Sequence, residues 1–257
     1  MKESVSRYFL HLAYNGKNFH GWQIQNNAIT VQQELNEVLS LFFKTKIELT
    51  GAGRTDTGVH AKDFYAHFDL PTNLNKEDIP NIVHKLNGFL KQDIAIYDII
   101  RVKDEAHARF DAVSRTYHYY IGIKKDVFNF EYSYFIYGNL DVTAMNEAAK
   151  ILFDYTDFSC FSKSNTQTKT NNCRITSAFW EECDNSLVFT ITADRFLRNM
   201  VRAIVGTLLE IGFHKINIED FKRIIDNKNR SDAGYSVPAK ALFLTKIVYP
   251  ESVFLTK

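Results

Sequence analysis

One stretch of the chain holds the residues best suited to chemistry: Gly51-Ala52-Gly53-Arg54-Thr55-Asp56-Thr57-Gly58-Val59-His60-Ala61. It is rich in glycine, sets an arginine two places before an aspartate, and contains no apolar run. Glycine lets a backbone take positive φ or come close to a ligand, and functional residues gather on loops held by a rigid scaffold. Asp56 is therefore a candidate catalytic carboxylate, with Arg54 placed to keep it ionised or to hold a substrate phosphate. The same letters also spell an ordinary turn, because Asp bonds nearby amides and the following glycine supplies the odd dihedral. Local chemistry leaves both readings open. A P-loop does not fit, since that motif needs Lys-Ser or Lys-Thr after its glycines and a helix behind them.

The elements around this loop follow from periodicity and end signals. Ser6 to Tyr14 reads as a strand ending at the turn signal Asn15-Gly16. The aromatic, amide-rich loop Phe19-His20-Gly21-Trp22-Gln23-Ile24-Gln25 follows, with Trp22 read as a core residue at the loop base. Thr30 and Gln33 form a capping box, and Val31, Leu35, Val38, Leu39 and Phe42 place an amphipathic helix over 31–43. A strand over 46–50 leads into the glycine loop, and Phe64 to Leu70 leads out of it. Asn75 caps a helix carrying Ile79, Val83, Leu86 and Leu90, and Ile94 to Val102 is another strand.

A second half begins at about residue 106. Its first strand, over 114–121, has high β-propensity. A helix over 142–153, a hairpin turning at Asp184-Asn185, a helix from 196 to a stop at Gly212, a helix capped by Asn217 and a strand over 241–249 complete it. The polar stretch Ser162 to Asn172 reads as a flexible loop. Both halves mix strands with helices in a similar order, which predicts an α+β protein of two related lobes, 1–105 and 106–257.

Composition excludes several classes. Hydrophobic residues at 45% supply a core, yet no apolar run reaches the roughly 18 residues that span a bilayer. The polar start leads straight into Tyr8-Phe9-Leu10, so the reading is a cytoplasmic chain without a signal peptide or membrane partner. Cys160, Cys173 and Cys183 form no CxxC pair and read as reduced structural thiols. The histidines lack paired metal-ligand spacing, so no metal is expected. A net charge of +1 gives no general footprint for nucleic acid, which leaves the placement of the cations to decide.

Two sets of cations stand out. Arg195, Arg198 and Arg202 fall at i, i+3 and i+7, so a helix there aligns them beside the apolar face of Val201, Ile204, Val205 and Leu208. They suit either phosphate binding or a solvated flank with buried stems. Arg109, Arg115, Lys124 and Lys125, continued by Lys163, Lys169 and Arg174, interleave with Tyr117, His118, Tyr119 and Tyr120. That mixture suits RNA, whose bases stack on aromatic faces while cations hold phosphates; it equally suits a plain strand.

Taken together, the ordered runs resemble the TruA family of tRNA pseudouridine synthases over nearly the whole chain. The matching runs are Phe19 to Gln25, Thr30-Val31-Gln32, Gly51 to Asp56, Gly58-Val59-His60-Ala61, His107-Ala108-Arg109-Phe110, Ser114-Arg115-Thr116-Tyr117, Asp157-Phe158-Ser159, Phe196 to Leu209, and Asp232-Ala233-Gly234 through Pro238-Ala239. The resemblance implies two ferredoxin-like lobes, a mostly antiparallel sheet flanked by helices, a positively charged active cleft between the lobes, and a homodimer. It implies tRNA as substrate, with uridines 38–40 of the anticodon stem-loop isomerised to pseudouridine and no cofactor or metal.

Carried over residue by residue, the resemblance makes Asp56 the catalytic nucleophile or base and Arg202 the arginine that pairs with it. Tyr117 becomes the tyrosine that stacks on the target base, and Leu242 an apolar wall of the pocket. By the resemblance Arg54 positions RNA phosphate or helps displace the base, and His60, Arg109, Arg115, Arg195 and Arg198 are read with it as substrate-binding residues. Thr57, Lys62-Asp63-Phe64-Tyr65, Asn15 and Ser236-Val237 depart from the family pattern, and none of them removes Asp56, Tyr117 or Arg202. The competing expectations are an RNA-binding module or tRNA-folding chaperone with little turnover, and a paralogue acting on another RNA.

Overall fold

The computed structural model describes residues 5–163, 170–183 and 186–255. By contacts the chain forms two compact units, Met1–Val113 with Leu244–Lys257, and Ser114–Phe243. Both mix helices with mostly antiparallel strands, so the fold is α+β.

In the first unit, β1 (Ser6–Tyr14) lies between its two partners. It pairs antiparallel with β3 and with β4, which puts it at the centre of that part of the sheet. Its residues are buried on both faces, Tyr8, Leu10 and Leu12 on one and Phe9 on the other. Phe9 packs against the rings of Tyr249 and Phe254, so the C-terminal segment covers that second face.

The helix α1 (Val31–Phe43) buries Val31, Leu35 and Leu39. Thr30 caps it by accepting the Gln33 amide, but the Gln33 side chain bonds Glu37 instead of returning to complete a capping box. The expected strand over 46–50 shrinks to β2 (Thr50–Gly51). Side chains of α1 explain the loss: Ser40 Oγ accepts the Ile47 N–H and Asn36 Oδ1 accepts the Leu49 N–H. Those amides are satisfied by the helix and have no need of a ladder.

The strand β3 (His60–Leu70) starts four residues earlier than its apolar run and so emerges directly from the glycine loop. Ahead of α2 (Ile79–Phe89) Asn75 does not cap the backbone; its amide bonds the Asp78 carboxylate. β4 (Ile94–Arg101) is held by Asn87 of α2, which accepts from the Ile96 N–H and donates to the Ile96 carbonyl, both at 2.8 Å.

The second unit repeats this logic. β5 (Ser114–Gly122) carries the short parallel strand β6 (Tyr134–Phe135). The helix α3 (Val142–Ile151), capped by Asp141, ends in a tighter turn over Leu152–Asp154. β7 (Ile175–Cys183) and β8 (Ser186–Ala193) form the expected hairpin, whose turn at Asp184-Asn185 lies outside the described residues. β8 also pairs with β5, giving the order β5-β8-β7. Asn146 of α3 clamps Trp180 of β7 at both its N–H and its carbonyl, as Asn87 does in the first unit.

The helix α4 (Met200–Gly212) is buried almost all round. It starts later than expected because Asn199 takes a left-handed φ of 68°. Gly212 is its last residue and not the left-handed stop expected of it; a side chain there would meet Met145 Sδ at 2.5 Å. α5 (Ile218–Asn227) has a full capping box from Asn217 and Asp220. The strand β9 (Leu242–Val248) then crosses the boundary between the units in sequence.

The unit boundaries differ from the expected break at 105/106. Residues 106–113 bond to the first unit: Arg7 donates to the Ala106 carbonyl, His67 accepts the Ala108 N–H, and the Val113 N–H reaches Val248. The last residues join the same unit, with the Lys103 N–H donating to Val253.

A segment over 233–237 crosses α4 at Gly206, where an added Cβ would sit 1.8 Å from the Tyr235 carbonyl oxygen. Gly206→Ala is therefore expected to cost about 1–3 kcal/mol or more through forced displacement of that segment, read as a lowered urea midpoint. An unchanged midpoint would contradict this packing.

Candidate active site

The loop that displays Asp56 is fixed by its neighbours in the first unit. The Trp22 N–H donates to the Thr55 carbonyl and the Gly58 N–H to the Phe19 carbonyl, so the 19–25 segment and the glycine loop interlock. The Thr55 hydroxyl is buried and lies 2.9 Å from the Tyr14 hydroxyl. Gly58 turns the chain at φ +78°, and the Val59 N–H closes the turn on the Asp56 carbonyl.

Two glycines outside the loop make this approach possible. Gly21, at φ +87°, would place a Cβ 2.4 Å from the Thr55 oxygen, and Gly16 would place one 2.0 Å from the Val59 oxygen. Neither can be replaced without moving the loop. Trp22 is buried as expected, its ring 4.3 Å from Phe64.

Asp56 itself is half-buried and Arg54 is exposed. His60 is buried, and its Nδ1 accepts the Gly16 N–H at 3.1 Å. That contact ties the end of the loop to the turn after β1. Two of the departures from the family pattern also have structural partners: Asp63 accepts from His11 and from the Ile247 N–H, and Tyr65 stacks on His11 at 4.5 Å.

A second loop of the same unit carries Arg109, which is exposed on a heavily bonded turn. His107 Nδ1 accepts the Arg109 and Phe110 amides, Asp111 accepts the His107 N–H, and Tyr249 donates to the Ala108 carbonyl.

In the second unit, Tyr117 lies on β5 opposite Ile191, its ring edge-on to Phe196 at 5.2 Å. Arg202 is on the first turn of α4, where its Nε donates to the Val237 carbonyl at 2.7 Å and its own carbonyl accepts the Val237 N–H. Asn199 and Arg230 both donate to Ser236, which fixes the same segment. Ser236-Val237, another departure, thus sits where backbone contacts with Arg202 are made. Leu242 is buried at the start of β9. Arg115 donates to the Asp194 carbonyl.

The arginine stripe does not form. Arg195 and Arg198 precede α4, and only Arg202 is helical. Arg198 is exposed in the turn before the helix, and its carbonyl accepts the Lys163 N–H. Lys169 lies outside the described residues. Cys160 and Cys173 are buried, Cys183 is exposed and all three are free; burial pushes the first two thiols up to about 12. Among the described residues no helix is long and apolar enough to cross a membrane, and no cluster of potential metal ligands occurs.

The sequence reading passed over Tyr14, Thr55, Gly16, Gly21 and His67 as parts of the site's support. Gly16 is visible in sequence only as a turn residue and Gly21 only as a loop residue, because the carbonyls they accommodate come from more than thirty positions away.

The first unit carries a half-buried carboxylate on a glycine loop and the second an aromatic strand bearing cations, and comparison with known proteins gives the class. The family model described as tRNA pseudouridine synthase matches residues 148–250. The chain is 55% identical to the tRNA pseudouridine synthase A of Parabacteroides distasonis over 97% of its own length and 98% of that protein. It is 52% identical to that of Bacteroides fragilis, over 98% and 99% of the two chains, and 38% identical to that of Bacillus subtilis, over 93% and 97%. The chain belongs to the tRNA pseudouridine synthase A family, a family of tRNA-modifying isomerases.

The support beneath Arg109 has a pH signature. Burial, helped by Arg7, pushes the His67 imidazole down to about 4, well below the ordinary value near 6.5. Its contribution to stability is full above about pH 6.5 and is lost as pH falls towards 4, because the unfolded chain takes up a proton that the folded chain refuses. The urea midpoint should fall over that window in the wild type, and His67→Gln should flatten the slope. Equal slopes in the two proteins would contradict a neutral, buried His67.

Proposed function

We propose that this chain isomerises uridine to pseudouridine at positions 38–40 of the tRNA anticodon stem-loop. The observation that carries the reading is similarity over nearly the full length to proteins named tRNA pseudouridine synthase A. The reaction breaks the N1–C1′ bond, turns the base and forms a C5–C1′ bond. The C5 hydrogen leaves as a proton and N1 gains one, so no electron acceptor is consumed.

Asp56 is the catalytic carboxylate, acting as nucleophile or base on the nucleoside. The target base must first leave its stack, at a cost of about a few kcal/mol. Tyr117 stacks on the freed base, Arg202 favours the ionised carboxylate, and Leu242 supplies an apolar wall. Arg54, Arg109, Arg115, Arg195 and Arg198 hold RNA phosphates. His60 serves the substrate through the loop, since its ring is buried against Gly16. The proposal extends to a cytoplasmic homodimer, and a solution mass of one 29.7 kDa chain would remove the dimer from it.

Mapping pseudouridine in unmodified tRNA transcripts after incubation with the chain tests the substrate. Modification confined to positions 38–40 is the expected result. Modification only elsewhere would make this a paralogue with another RNA target, and tight binding without modification would favour a tRNA-folding chaperone.

A further inference from the structure

Phe110 is 74% exposed, on a loop whose backbone amides are bonded to side chains. Leaving a phenylalanine in water forgoes about 1.5–3 kcal/mol of burial, and single exposed apolar residues are ordinary. Phe110 differs in its support. It ends a file of rings that begins in the core: Phe9 stacks with His67 at 6.5 Å, His67 meets His107 at 4.6 Å, and His107 meets Phe110 at 4.2 Å.

The backbone beneath that last ring is held throughout. Both imidazoles accept backbone amides, from Ala108 on His67 and from Arg109 and Phe110 on His107. Ala108, between His107 and Arg109 in sequence, is fully buried. The Arg109 guanidinium stands 5.7 Å from the Phe110 ring centre, which puts a cation beside the exposed ring.

We propose that Phe110 is a stacking platform for an unpaired tRNA base, with Arg109 beside it for the adjoining phosphate. A nucleobase would be the next member of the ring file. The loop is ordered before RNA arrives, so little conformational entropy is lost when the base settles. Base–aromatic stacking of this kind tolerates any base identity, because every base has a π-face. The assignment rests on the tRNA reading above for its ligand, and it adds a contact outside the Asp56 loop.

The experiment compares wild type, Phe110→Ala and Phe110→Trp in the full chain, using an unmodified tRNA transcript and a fully paired RNA duplex as probes. Phe110→Ala should weaken tRNA binding about 5- to 100-fold and leave duplex binding unchanged. Phe110→Trp should bind tRNA within about twofold of wild type, as expected of a sequence-tolerant π-face, and its emission should be quenched by the transcript. The chain's own tryptophans, Trp22 and Trp180, are 2% and 3% exposed, so the new signal would come from position 110. Wild-type-like tRNA binding by Phe110→Ala, equal weakening for both RNAs, or emission unmoved by saturating tRNA would each overturn the proposal. Failure of the function reading shows separately, as absence of pseudouridine formation by the wild type while quenching persists.

Discussion

The Thr55 carbonyl oxygen is the point on which the site's geometry turns. It accepts the Trp22 N–H and lies where a Cβ on residue 21 would stand. That one close approach locks two loops, 19–25 and 51–61, which neither α1 nor β3 could align alone. A carboxylate on a free loop would spend binding energy on being ordered; here the ordering is done during folding. The buried Tyr14–Thr55 hydroxyl pair and the His60–Gly16 contact hold the same loop from the end of β1 and the start of β3. Thr55 just before Asp56 and Gly58 two places after it are therefore constrained, while Asp56 itself stays partly open to solvent.

The two units solve the same problem of edge-strand order in the same way. An outer strand, β4 or β7, offers an N–H and a carbonyl that a helix asparagine takes together. Unpaired strand edges otherwise invite slippage or association. The shared device gives physical content to the similar order of elements in the two halves. In the second unit it steadies the hairpin that backs Tyr117, whose register partner is Ile191 of β8.

Much of this was legible from periodicity and end signals. β1, α1 and the Asn217 cap appear with the bounds that their patterns indicate, because apolar periodicity, turn signals and a local side-chain cap are all short-range properties. What escaped was set by partners far along the chain. Residues 46–49 look like a strand, yet the Ile47 and Leu49 amides belong to Ser40 and Asn36 of the preceding helix. Arg195 and Arg198 fit a helical stripe in sequence, but the left-handed φ of Asn199 delays the helix to Met200. The site's candidate chemistry could be read in the Asp56 loop, but its supports could not, since Gly16, Gly21, Tyr14 and His67 act through carbonyls, hydroxyls and amides that no local pattern announces.

The interlocked loop presents Asp56, and the proposed function makes that residue the catalytic carboxylate. Release of tritium from tRNA labelled at uridine C5, measured for wild type and Asp56→Asn side by side, tests it most directly, because the new C5–C1′ bond must expel the C5 hydrogen. The expected result is release by the wild type and none by Asp56→Asn, with tRNA affinity of the variant within several-fold. Continued release by Asp56→Asn would contradict the claim.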